Sequence, residues 1–392
     1  MKLLLIKNAD VYAPEHLGIR DVLVVGEQIA LIEEKIELCA LPLAVETLDA
    51  QGRRLIPGYV DQHVHIIGGG GESGPHSRTP EVMLSSVTTA GVTTLVGVLG
   101  TDGTTRHLES LLAKARALDT EGITAYMLTC SYEIPTISLT GSPRRDMILI
   151  DKVLGIGEVA ISDHRSSEPT KDEIKRLLTQ ARVGGMLAGK AGVMQFHLGS
   201  APTGLSMLRQ IIEESAVPAR HIIPTHVNRA PALMEEAKQL MRMGAYADIT
   251  SGVRLEDGFE GGIAPREAIR QCYEEGLAMQ QLTMSSDGNG CMSEVRPDGT
   301  TRQLVARLHS LHEEIMGAVA LGVPLEAAVA VATANPARAN GLYPRKGAVR
   351  VGSDADLLLL GQDGAIDTVL ARGRVMVQDA KPVVFGTFEN FE

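Results

Sequence analysis

The stretch PGYVDQHVH, residues 57–65, opens on a proline–glycine turn signal and runs through a short apolar segment to two histidines one residue apart. Residues two apart in an extended strand point to the same side of the pleat, so His63 and His65 are expected to present both imidazoles to one face. Seven further strand-like runs follow: GVTTLVGVLG, ITAYMLTCS, GEVAIS, VMQFHLG, HIIPTHV, AYADIT and QLTMSSDG. Between them lie segments of helical periodicity such as HLESLLAKARALDTEG, KDEIKRLLTQARVGG, LSMLRQIIEESA, ALMEEAKQLMRMG and PREAIRQCYEEG. Several end in the glycine expected just past a helix C-terminus. Regular alternation of strand and helix predicts a parallel sheet. Eight such units predict an α/β fold built on a (β/α)8 TIM-like barrel over residues 56–344.

The flanks have a different texture. Residues 1–55 and 345–392 consist of β-like runs separated by Gly, Asn and Asp, and chain termini commonly lie close together. Both ends are therefore expected to build one small β-sandwich domain, which also leaves fewer strand edges unpaired. Aromatic residues make up only 3% of the 392 residues and tryptophan is absent, so packing must rest on aliphatic side chains. A net charge of -11, with no Lys/Arg block, argues against a nucleic-acid surface. Cys39, Cys130, Cys272 and Cys291 are too scattered for a zinc knuckle or redox pair and read as reduced thiols. No run approaches the ~18 apolar residues of a membrane span, and the opening is too short for a signal peptide. A cytoplasmic protein without membrane contact is the expectation.

In a barrel of this kind catalytic groups gather at the C-terminal ends of the strands. His63 and His65 close the first predicted strand, Glu158 lies in the fourth, His197 ends the fifth, His226 the sixth and Asp287 the eighth. A single histidine near a strand end is more often a packed or surface residue than a ligand. Four histidines and an aspartate arriving together at one rim point instead to a metal centre. Imidazole and carboxylate without thiolate suit Zn²⁺ ahead of Mn²⁺, Co²⁺ or Fe²⁺.

The segments DQHVHIIGGGGESGP, RTPEVMLSSVTTAGVTTLVGVLGTDG, ISDHRSS, PTHVNR and SSDGNG resemble the isoaspartyl dipeptidases (beta-aspartyl peptidases) of the amidohydrolase superfamily. The likeness runs nearly the length of the chain. It implies a (β/α)8 barrel beside a small β domain, two divalent metal ions expected to be zinc, and hydrolysis of small isoaspartyl dipeptides. It also implies a homo-oligomer, with an octamer as one form. By matched motif His63, His65 and Asp287 would bind one metal, and His197 and His226 the second. Where that family carries a carbamylated lysine between the metals, this chain has Glu158. Glutamate is a permanent carboxylate that needs no CO₂, but its stem is shorter, so either the strand sits closer to the metals or the bridge is weaker.

The resemblance also assigns the substrate contacts. Four glycines after a metal-binding strand would let the main chain approach a ligand and carry Glu72 over the site, where the family pairs it with the substrate α-amino group. Arg229 and Arg165 match positions that bind the isoaspartyl α-carboxylate and the C-terminal carboxylate. Tyr132 matches the tyrosine that donates to the carbonyl oxygen. Thr101 and Cys291 fall at contact positions, although the latter is usually serine and a thiol is a poorer hydrogen-bonder. Asp287 would act as general base and later acid. Lys190 follows a predicted helix C-terminus and is not a candidate carbamate, and Asp163 and His164 receive no role. The rival readings are a hydantoinase- or dihydroorotase-like hydrolase of cyclic amides, which would not need Glu72 to meet a free amine, and a non-catalytic scaffold, which would be expected to have lost ligands.

Overall fold

The computed structural model describes residues 3–38, 44–254, 261–295 and 300–389. The chain begins with β1 (Leu3–Tyr12), β2 (His16–Val25), β3 (Gln28–Glu33), β4 (Val45–Asp49) and β5 (Arg54–Pro57). It ends with β16 (Leu357–Leu360), β17 (Ile366–Ala371), β18 (Arg374–Gln378) and β19 (Lys381–Pro382). These nine form a single hydrogen-bonded sheet in the order β19-β18-β17-β16-β5-β1-β2-β3, with β4 also on β1. The two chain ends are joined where β16 pairs antiparallel with β5, Leu357 opposite Pro57. Leu4, Ile6, Val22, Val24, Leu55, Leu357 and Leu359 bury one face of it.

One residue later the second sheet begins. Gly58 separates β5 from β6, and a Cβ there would meet Thr93 Oγ1 at 2.3 Å, so only glycine lets the chain cross so close to its neighbour. The second sheet comprises β6 (Tyr59–Val64), β7 (Val92–Gly97), β8 (Thr124–Thr129), β9 (Val153–Ile161), β10 (Val193–Leu198), β11 (Ile222–Thr225), β12 (Ala247–Thr250) and β13 (Leu282–Ser285). Its strands are parallel and ordered as in the sequence. The ring is completed beyond the strand ends, where His65 N donates to Gly288 O at 2.9 Å. A hairpin of β14 (Cys291–Val295) and β15 (Thr301–Val305) projects from the turn after β13.

Period-two alternation sorts the barrel side chains. Met194, Phe196 and Leu198 of β10 face outward into the helix layer with Met127, Ile249 and Met284. The inward positions of the same strands carry Gln195 and His197, Asp248 and Thr250, and Thr283 and Ser285, all buried. An apolar plug of Val96, Val98, Leu128 and Leu154 fills part of the interior. The barrel interior is thus polar in one part and apolar in another.

The helix Lys171–Ala188 has a complete capping box, Thr170 with Glu173. It ends at Gly189 in the left-handed conformation. Lys190 then donates to the carbonyls of Met147, Ile150 and Val153 at 2.8, 2.5 and 2.9 Å, at the start of β9 rather than at the mouth. Cys130 and Cys272 are buried free thiols and Cys291 is half-buried, while Cys39 lies outside the described residues. Among the described residues no helix is long and apolar enough to cross a membrane.

Candidate active site

The four histidines, Glu158 and Asp287 converge at one end of the barrel. His63 lies within β6 and His65 just past it, with ring centroids 5.4 Å apart. His226 follows β11 and Asp287 follows β13; both have positive φ, 65° and 54°, a region most side chains avoid. Such backbone strain is tolerated where the surrounding structure over-determines it, and it is commonest at working sites.

Glu158 sits at the centre, fully buried. Its Oε1 is 3.3 Å from His63 Nε2 and 3.7 Å from His65 Nε2. Its Oε2 is 2.9 Å from His197 Nδ1 and 3.7 Å from His226 Nε2. Each oxygen therefore faces one pair of imidazoles. The short stem is offset by backbone: Ile156 pairs with Met194 but Val159 with Phe196, so β9 carries one extra residue here. A bulge of this kind re-aims a side chain. It brings the shorter glutamate stem in among the four imidazoles.

Atoms in this cluster behave as ligands without a partner. His63 Nε2, His65 Nδ1 and Glu158 Oε1 are buried and make no hydrogen bond. Unsatisfied buried polar atoms are rare in native proteins and mark places where an ion or water belongs. Among the described residues two sets have donor atoms close enough to share a cation: His63, Glu158 and His226, and His63, His65 and Asp287. Six nitrogen- and oxygen-bearing side chains without thiolate fit a pair of divalent cations.

The charges agree. Burial would raise the Glu158 carboxyl, but His63 and His197 hold it well below the ordinary range, so it is ionised. Burial likewise raises Asp287, and the hydrogen bond from His65 with the nearby His63 more than reverses it. Burial and the nearby Arg229 hold His226 well below its usual value, leaving a neutral imidazole able to ligate. Burial lowers His63, yet Glu158 beside it raises it to about 9, so a cation bound there would do so by displacing a proton. Tyr132 is driven well above its usual value by burial and by Glu158, and it keeps its proton.

Next to the cluster lies a polar layer that the sequence reading missed. His63 Nδ1 meets Gln195 Oε1 at 2.9 Å, which fixes the tautomer and leaves Nε2 for the centre. His226 Nδ1 meets Thr250 Oγ1 at 2.6 Å. Asp248 accepts from Gln62 and Thr283, both at 2.7 Å, and from Thr225 and Ser285 at 2.7 and 2.6 Å. The available signal was a polar residue two positions before another polar one in a strand that is otherwise apolar, as in Gln195–His197 and Asp248–Thr250. Asp163 was also missed; it is buried and touches His197. His164 is exposed.

Above the cluster, Glu72, Thr101, Tyr132, Arg165, Arg229 and Cys291 line one pocket together with Asp287. The glycine run explains how Glu72 gets there. Gly68 and Gly70 have φ of 81° and 73°, and Cβ atoms on them would meet Thr79 O at 2.1 Å and Ser77 O at 2.4 Å. Buried Arg106 clamps this loop, donating to the carbonyls of Ile67, Gly69 and Thr79. Arg165 Nη1 donates to Glu72 Oε1 at 3.0 Å across the pocket, and its guanidinium lies 5.3 Å from the Tyr132 ring centre. Tyr132 OH lies 2.6 Å from His197 Nδ1. Arg229 donates to Leu198 O at 3.0 Å and reaches within 3.9 Å of Asp287. The Cys291 thiol donates to Gln303 at 2.9 Å.

The amidohydrolase family model matches residues 54–376, and the chain belongs to that family of hydrolases. Within it, the chain is 40% identical to the beta-aspartyl dipeptidase of Fervidobacterium islandicum AW-1, with all of both chains covered and a TM-score of 0.89. That enzyme has also been solved in complex with the dipeptide beta-Asp-Leu. More distant relatives include an L-hydantoinase of Paenarthrobacter aurescens, 24% identical over 93% of this chain and 86% of the relative. An adenine deaminase of Bacillus velezensis is 25% identical over 86% of this chain, which spans about half (52%) of that relative's length.

Proposed function

We propose that this protein hydrolyses isoaspartyl dipeptides with two divalent cations, zinc being the expected ion. The observation that carries the reading is the charge pattern of the pocket above the cluster: with Asp102 paired to Arg78, Arg106 spent on loop carbonyls and Asp287 in the cluster itself, its remaining charged groups are one carboxylate, Glu72, and two guanidinium groups, Arg165 and Arg229. A β-linked aspartyl dipeptide presents the complement, one ammonium and two carboxylates. A hydantoin or dihydroorotate ring has no ammonium for Glu72. The 40% identity to an enzyme solved with beta-Asp-Leu supports the same choice.

His63, His65 and Asp287 would hold one cation and His197 and His226 the other, with one oxygen of Glu158 turned to each. Bound divalent cations would supply Lewis acidity and make water acidic enough to attack near neutral pH. The protein groups do the rest. Arg229 takes the α-carboxylate of the isoaspartyl residue and Arg165 the C-terminal carboxylate. Glu72 leaves Arg165 to accept the ammonium, so an internal ion pair is exchanged for contacts with substrate. The Tyr132 hydroxyl donates to the carbonyl oxygen as charge develops on it. Asp287 takes the proton of the attacking water and passes it to the departing amine.

The test is hydrolysis of β-Asp-Leu beside α-Asp-Leu and dihydroorotate, with metal content measured on the same preparation. Turnover of β-Asp-Leu alone is expected; turnover of dihydroorotate alone would replace this reading with the cyclic-amide one. Glu72→Gln is expected to raise KM for β-Asp-Leu by about 10-fold or more, the scale of a charge-assisted hydrogen bond. Its metal content should stay at the wild-type level. A Glu72→Gln enzyme with wild-type KM would remove Glu72 from ammonium recognition.

A further inference from the structure

We propose that Asp163 is a positioning residue that sets His197 and Arg165 with one carboxylate, and so couples cation binding to recognition of the substrate's C-terminal carboxylate. The inference rests on the functional reading above and adds a residue to which that reading gave no part.

Asp163 stands two residues beyond β9 and is 5% exposed. Its Oδ1 accepts from the Arg165 backbone N–H at 2.8 Å and from Arg165 Nε at 2.9 Å. Its Oδ2 accepts from Arg165 Nη2 at 2.9 Å and lies 3.2 Å from His197 Nε2. The carboxylate thus grips one edge of the guanidinium bidentately and leaves Nη1 to point into the pocket, where it meets Glu72. A proton on His197 Nε2 held by the same carboxylate would leave the Nδ1 lone pair for a cation at the centre, where Nδ1 lies 2.9 Å from Glu158 Oε2. Arg165 Nη2 and His197 Nε2 are only 2.9 Å apart. Asp163 Oδ2 lies within reach of both, at 2.9 and 3.2 Å, and Arg229 Nη1 approaches the same ring nitrogen at 3.3 Å.

Space has been kept for this arrangement. A Cβ on Gly199, just past β10, would lie 2.5 Å from Asp163 Oδ2. Because one buried carboxylate has two clients, ordering it through either favours the other. A cation on His197 fixes Asp163 and with it Arg165, and an anion on Arg165 acts in reverse.

Asp163→Asn removes the charge and half of the acceptor capacity, while Gly199→Ala keeps the charge and displaces it. Both variants should retain one of the two Zn²⁺ ions 10- to 100-fold more weakly, roughly the cost of losing an outer-shell partner, when titrated against a competing chelator. Both should also raise KM for β-Asp-Leu severalfold, with a smaller change for its C-terminal amide, which offers Arg165 no carboxylate. Wild-type Zn²⁺ affinity in Asp163→Asn overturns the proposal, and so does a change in only one of the two readouts, since coupling requires both. If the wild-type protein leaves β-Asp-Leu intact, the substrate reading falls instead, and Asp163 is decided on the Zn²⁺ titration alone.

Discussion

Glu158→Ala should reduce the bound divalent cations from two per chain to at most one and lower hydrolysis of β-Asp-Leu by about 10³-fold or more. The argument is electrostatic. Unit charges 4 Å apart interact by about 4 kcal/mol at an effective dielectric near 20, so two dications at the ~3.5–4 Å of binuclear sites repel on the order of 16 kcal/mol. Glu158 is the carboxylate whose oxygens face both pairs of imidazoles, and it is the group placed to offset that repulsion. Elemental analysis of the variant decides the matter: two cations per chain with activity intact would take Glu158 out of the centre. Because a glutamate is a permanent carboxylate, added bicarbonate should leave wild-type activity and metal content unchanged.

The cation-free protein supplies a second reading of the same pair. His63 rises from its ordinary value to about 9 despite burial because Glu158 lies beside it. A group whose folded pKa is raised contributes stability that is complete below its unfolded value, near 6.5, and is lost as pH rises through the folded one. The chelator-stripped protein should therefore melt at a higher temperature at pH 6 than at pH 9.5 by this contribution. Glu158→Gln should flatten that difference.

Asp287→Asn should lower kcat by about 10²- to 10⁴-fold, the range for removing a positioned general base. Asparagine keeps an oxygen in the same place but cannot take a proton from water. His65, by hydrogen bond, and the nearby His63 hold the native carboxyl ionised against burial, so it enters the reaction as a carboxylate. The measurement is steady-state kinetics with β-Asp-Leu on protein of verified metal content. A kcat within a few-fold of wild type at full occupancy would assign the proton transfer elsewhere.

Much of the frame was legible because it is written in local periods. The barrel strands from PGYVDQHVH to QLTMSSDG alternate with amphipathic segments, and histidines and acids fall at strand ends, where a barrel gathers its chemistry. What stayed hidden were relations between side chains far apart in the chain. Nothing in GEVAIS announces the bulge that carries Glu158 inward, since it exists only as a mismatch with the count of residues in β10. Nothing in ISDHRSS says that Asp163 will meet His197, 34 residues further on. Nothing in TDGTTRHLE says that Arg106 will hold the carbonyls of the glycine run.

The sequence by itself determined which residues are able to ligate, ionise and alternate in and out of a sheet, because those properties belong to each side chain and its nearest neighbours along the chain. Only the tertiary structure decided which nitrogen of each imidazole faces the centre, which oxygen of Glu158 faces which pair, and that Arg165 lies across the pocket on Glu72. Those are matters of a few ångströms between separate strands, fixed by barrel register and by hydrogen bonds in a buried, water-poor interior, where a polar group without its partner is costly.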